Sequence, residues 1–218
     1  SAGERLFDVL DAESPVQEHP GAAPLADVHG KVTFDDVHFA YRDRPAVDGV
    51  TLDIQAGQIV ALMGAPGSGK TTLMSLLSRF YDVDSGTISI DGTDIRNATL
   101  ASLHSTVGIV QQDVFLFSAT VAQNIAYGHD GATTEQIIDA AKTAQIHDEI
   151  MALPEGYETI IGERGVSLSG GQRQRLSIAR TIVLDPPILV LDDSTASVDA
   201  GTESGIQEAM SKVVRGRT

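Results

Sequence analysis

Apolar residues recur along this chain at two periods, and the switches between the periods mark out its elements. Leu6, Phe7 and Leu10 stand at helical spacing, after which residues 12–29 are rich in Pro, Ala, Glu and Asp without a clear period. A short helix and a linker are expected over residues 1–29, ahead of a folded unit over 30–218. That unit opens with two β-rich stretches, 32–41 and 47–54, separated by a turn at Pro45. Residues 59–63 form a short, wholly apolar run of the kind buried in a parallel sheet, leading through a glycine-rich loop into an apolar helix over 71–80. Residues 86–91 alternate as a strand closed by an Asp91-Gly92 turn, and 107–110 read as a further core strand.

From 120 to about 179 the period is helical, with Thr133 and Gln136 spaced as a capping box and a break at Pro154-Glu155-Gly156. Ser169 stands where an N-cap belongs, ahead of a helix through about Val183. Asp185-Pro186-Pro187 ends that helix before the apolar strand 188–191. Neither an internal repeat nor a low-complexity tract is present.

The loop between the apolar run and its helix carries the first chemistry. Gly64, Ala65, Pro66, Gly67, Ser68, Gly69, Lys70 and Thr71 fit G-x-x-x-x-G-K-[ST]. In that pattern backbone N–H groups cradle phosphates, the Lys reaches the β/γ oxygens and the hydroxyl ligates Mg²⁺. A helix N-terminus adds partial positive charge, and Thr72 in its first turn offers another phosphate contact. A plain glycine turn is the alternative; the flanking apolar strand favours a nucleoside triphosphate. Asp192 directly follows the apolar run 188–191, where a buried strand would deliver a carboxylate to Mg²⁺. Ser169, Gly170 and Gly171 open a second anion-ready helix start, which within one chain would be redundant.

Composition narrows the setting. At 218 residues, 42% hydrophobic and with mean hydropathy near zero, the chain is expected to be one soluble α/β domain. Thirty acidic against 15 basic residues give a net charge of −15, which argues against a nucleic-acid groove. There is no cysteine, hence no disulfide framework or thiolate metal site. No apolar run approaches the roughly 20 residues of a membrane span, and the N-terminus lacks the order of a signal peptide.

Leu168-Ser169-Gly170-Gly171-Gln172, followed by Arg173-Gln174-Arg175, resembles the signature motif of ATP-binding cassette (ABC) ATPases. With the phosphate loop and Asp192 as Walker A and Walker B, the resemblance covers about residues 31–218. It implies an α/β fold: a P-loop NTPase core with a mixed or parallel central sheet, an antiparallel β subdomain and an inserted helical subdomain at about 113–182. It implies ATP and Mg²⁺ as ligands and a head-to-tail dimer, in which Ser169, Gly170, Gly171 and Gln172 face the γ-phosphate held by the partner. Tyr41 matches the aromatic that stacks on adenine. Gln112 matches the Q-loop glutamine that touches Mg²⁺ or water, with Gln111 as the competing choice. Asp199 matches the D-loop along the dimer seam, and Glu163-Arg164-Gly165 is similar to the exporter X-loop. The helix at the N-terminus is similar to the tail by which exporter-type domains continue from a transmembrane helix. The resemblance therefore implies transmembrane partners and a place at the cytoplasmic face of a cell membrane.

The chain departs from the family pattern in two places. Most active ABC ATPases carry Glu after the Walker B Asp to polarise the attacking water; here Asp193 is one methylene shorter. Its carboxylate is drawn back by about 1.5 Å, enough to impair a base that must come within hydrogen-bond reach of water. An intact signature beside a weakened base is expected of the degenerate half of a heterodimeric exporter, a homodimer being the rival. Second, the family's strand and switch histidine after the D-loop helix are missing before Thr218. A soluble, non-transport ABC ATPase and a regulatory ATP-binding module without turnover remain as alternative readings.

Overall fold

The computed structural model describes residues 7, 14, 16–110, 114–129, 131–162, 165–192, 211, 213–214 and 216–218. Its first layer is an antiparallel sheet ordered β2-β1-β3-β4, from β1 (Val32–Tyr41), β2 (Arg44–Ile54), β3 (Ser85–Ile90) and β4 (Thr93–Asp94). Val32, Phe34, Val37 and Phe39 of β1 and Ile88 and Ile90 of β3 fill one face. Bulges between Phe34 and Phe39 keep these apolar side chains inward where strict alternation would turn some outward. Against that face pack Leu76 and Leu77 of helix α1 (Lys70–Leu77) and Leu103 of α2 (Leu100–Thr106).

A parallel pair adds Val107 and Ile188 to this core: β5 (Val107–Val110) beside a later strand, β8 (Ile188–Leu191), in a register running from Val107↔Ile188 to Val110↔Leu191. Between them in sequence come the short antiparallel pair β6 (Ala119–Thr120) and β7 (Ile160–Ile161), and helices α3 (Val121–Ala126), α4 (Thr134–Thr143), α5 (His147–Met151) and α6 (Gly170–Leu184). Helices α3, α4 and α6 each open with a full capping box, Thr120/Gln123, Thr133/Gln136 and Ser169/Gln172. Their inward faces form a second core around Val121, Ile125, Ala141, Leu176 and Ile178. Asp185, at φ 49° ahead of two prolines, stops α6.

The structure corrects four expectations. Residues 59–63 form no ladder, and Ile59 and Met63 are 76% and 92% exposed. A cavity of about 360 Å³, lined by Val60, Leu62, Val190 and Leu191 among others, separates this run from β8. An apolar run becomes a buried strand only where neighbours occupy both edges, and among the described residues none does. Pro45 is not the turn: it lies within β2 opposite Ala40, and the chain reverses at Arg42-Asp43, with Arg42 at φ 56°. β2 is an edge strand, where a residue without an N–H is tolerated. The helical stretch 120–179 is four helices and a small strand pair, and the helix expected over 71–80 ends at Leu77.

The linker is strapped down although it has no period. Val16 is buried, Arg79 Nη2 donates to Gln17 O at 3.0 Å, and Glu18 Oε1 accepts from Leu100 N–H at 2.6 Å. Ala23 bridges Ala98, and Leu25 N–H donates to Ser102 Oγ. Of the helix expected nearer the N-terminus only Phe7 is described, in helical conformation. Among the described residues no helix is long and apolar enough to cross a membrane.

Candidate functional site

Gly64 to Ser68 form an exposed loop that delivers the chain into α1, with Ser68 N–H closing a turn onto Ala65 O at 3.1 Å. Gly69 is the N-cap, at φ 91°; a Cβ there would lie 2.4 Å from Ala46 O, so only glycine allows β2 and the loop to approach this closely. No side chain caps α1 and its first turn holds no acidic residue, leaving its N–H groups free for an anion. Lys70 Nζ turns back into the loop, donating to Gly64 O at 2.9 Å and Ala65 O at 3.1 Å. Thr71 is exposed at the start of the helix, whereas Thr72 is buried.

Asp192 is half-buried at the end of β8, and its N–H donates to Val110 O at 3.0 Å, so β5 and β8 finish level with each other. The Thr71 hydroxyl and the Asp192 carboxylate are hard oxygen donors of the kind Mg²⁺ takes. Among the described residues no three His, Cys, Asp or Glu converge.

Ser169 and Gly170 are exposed at the start of α6. Ser169 Oγ accepts from Gln172 N–H at 3.2 Å, and Gln172 Oε1 accepts from Ser169 N–H at 2.8 Å. Both bonds use acceptor lone pairs, so the Ser169 hydroxyl proton and the Gln172 amide protons stay available to an anion. Arg173 Nη1 donates to Leu168 O, and Arg175 bonds Gln145 O and Glu149, tying this helix start to α5 and its approach.

Tyr41, at the end of β1, is 42% exposed. Its ring meets Phe39 at 4.9 Å and Tyr81 at 5.3 Å between centroids, both T-shaped.

Residues 47–196 match the family model described as ABC transporter. The chain is an ABC transporter ATP-binding domain. It is 45% identical over its whole length to the ATP-dependent lipid A-core flippase of Syntrophus aciditrophicus, covering 36% of that protein. It is 48% identical over 99% of its length to human ATP-binding cassette sub-family B member 6, covering 26% of it. A bacterial Atm1-family ABC exporter solved with ATP bound superposes with a TM-score of 0.89 at 45% identity, over 99% of this chain and 38% of that one. The chain thus spans about a quarter to two-fifths of these relatives, and the family is one of ATPases.

In this ATP-binding domain Gln111, Gln112, Glu163, Arg164, Asp193 and Asp199 lie outside the described residues. Sequence reasoning missed Tyr81, Asp84 and Arg180. Tyr81 follows α1 with no periodicity to single it out, and Asp84 Oδ2 accepts from Ala40 N–H at 2.8 Å, beside Tyr41. Arg180 lies over the rings of Phe117 and Tyr127 and donates to Asn124 O, and its burial pulls the guanidinium below its ordinary pKa. Its position in the basic run 173–180 was the one available signal.

Proposed function

We propose that this domain is the ATP-binding and hydrolysing motor of an exporter, paired head-to-tail with a second ATP-binding domain. The carrying observation is that one chain holds two exposed, anion-ready helix starts, at α1 and at α6. The first would bind the triphosphate through Gly67, Ser68, Gly69, Lys70 and the hydroxyl of Thr71, with Tyr41 on the adenine. The second, through Ser169, Gly170, Gly171 and Gln172, would complete the partner's site, with Asp199 along the seam. Thr71, Asp192 and Gln112 would hold Mg²⁺, which when bound neutralises charge developing on the β/γ oxygens. Two ATP molecules would close the pair and hydrolysis reopen it, a motion that transmembrane partners at the cytoplasmic face convert into export.

Asp193 would be the base for the attacking water at this chain's own site. Its shortened reach supports a site that clamps ATP and turns it over slowly, opposite a partner with a full-length Glu. The decisive experiment is single-site hydrolysis in the purified dimer. Asp193→Glu is expected to raise turnover at this site by about tenfold or more, and robust turnover with Asp193 in place refutes the impairment. A regulatory module without turnover is the second reading, favoured if neither form hydrolyses ATP while both bind it.

A further inference from the structure

The ring of Tyr41 is held by two others. Phe39, two residues earlier on the same face of β1, is 7% exposed and fixed in the core. Tyr81 arrives from the opposite direction, after α1, and meets both: 5.4 Å to Phe39 and 5.3 Å to Tyr41. The segment that presents Tyr81 is pinned on either side. Upstream, Arg79 is 4% exposed, adopts φ 54° and donates from Nε to Asp82 Oδ1 at 2.8 Å. Downstream, Asp84 N–H donates to His38 O at 2.9 Å while its carboxylate accepts from Ala40 N–H. A T-shaped contact between aromatic rings has a preferred distance and plane, so two such contacts from fixed neighbours restrict the Tyr41 ring's rotation.

We infer that Tyr81 is a positioning residue for nucleobase binding: it sets the plane in which Tyr41 offers its ring to adenine, without touching the nucleotide itself. The inference rests on the reading above that Tyr41 stacks on the base. It also gives the segment after α1 a purpose, since one continuous stretch from Lys70 to Tyr81 would then serve both ends of the nucleotide, phosphates at its start and base at its finish. A stacking ring already held in the bound orientation loses less freedom when the base arrives, so the base contributes more to affinity.

The test uses the full-length protein and two probes, ATP and inorganic tripolyphosphate, which shares the phosphates but has no base. Tyr81→Leu is expected to weaken ATP binding about two- to tenfold, the range of an aromatic-pair contact, and to leave tripolyphosphate binding unchanged. Tyr81→Phe keeps the ring and is expected to restore wild-type affinity. In a Tyr41→Ala background, Tyr81→Leu is expected to have no further effect, because the ring it orients is gone. Equal loss for both probes, additive effects in the double variant, or no loss with Tyr81→Leu overturns the inference. If Tyr41→Ala weakens ATP binding while Tyr81→Leu does not, only the positioning role fails. If Tyr41→Ala itself leaves ATP affinity unchanged, the stacking reading fails and the inference falls with it.

Discussion

Lys70 Nζ lies 2.9 Å from the carbonyl oxygen of Gly64, so the one full positive charge of the phosphate loop is solvated by the loop that carries it. Further contacts to Ala65 O and, at 3.4 Å, Ser68 Oγ complete a cradle that phosphate oxygens can replace without leaving the ammonium bare. Lys70→Met removes a charge-assisted partner worth about 1.5–3 kcal/mol. ATP affinity is expected to fall about ten- to hundredfold, measured by calorimetric titration, with hydrolysis lost. Unchanged affinity would remove Lys70 from the phosphate site.

Ser169 serves its own helix and is proposed to serve a neighbour's phosphate, and two substitutions separate these roles. Ser169→Ala loses the cap on α6 and is expected to cost about 1 kcal/mol in chemical denaturation. Ser169→Asp keeps a capping oxygen and suits the helix dipole, so stability is expected to hold. Its negative charge would oppose a γ-phosphate, and ATP-dependent dimerisation is expected to be lost when followed by sedimentation. A stable Ser169→Asp variant that still dimerises with ATP would show that this helix start faces no phosphate.

Asp91 fastens the linker's end to the antiparallel sheet, its carboxylate accepting from His29, Gly30 and Lys31 N–H groups at 2.8 to 3.0 Å. Partial burial pushes its pKa up, but the three donors outweigh this and hold it below the ordinary carboxylate value. A depressed carboxylate contributes stability that is present above its unfolded value and lost as pH falls through the folded one. The contribution is expected to be about 1 kcal/mol, kept small by solvent at this exposed turn. Asp91→Asn tolerates the φ of 49° yet cannot ionise. Comparing urea midpoints at pH 5 and pH 3, the wild-type domain is expected to lose more stability than the variant; equal losses would disprove the linkage.

Arg79 joins the linker to the end of the phosphate-loop helix through Gln17 O and Asp82. The Arg79 side chain is 3% exposed whereas that of Asp82 is 36% exposed, so Arg79→Gln loses the bond to Gln17 O from a closed position and leaves a carboxylate that water still reaches. A loss of about 1–3 kcal/mol is expected, read from urea unfolding. Proteolysis within residues 16–25 is expected to accelerate in step; unaltered cleavage would mean that the strap is held elsewhere.

Local rules read much of this domain from the residues alone. The glycine-rich loop into α1, the capping box at Thr133, the N-cap at Ser169, the Asp91-Gly92 turn and the strands at 107–110 and 188–191 follow from interactions spanning a few residues. A glycine's freedom, a hydroxyl three positions before an amide, or an apolar run of strand length is written in the sequence itself. The local rule failed at 59–63, because burial belongs to the surroundings of a segment and five apolar residues do not say what lies on either side of them. It also failed in the linker, where Glu18 and Gln17 are held by partners more than 60 residues away. Only the tertiary structure could bring Tyr81 to Tyr41 or finish Asp192 level with Val110, since neither pairing has any signature shorter than the fold that creates it.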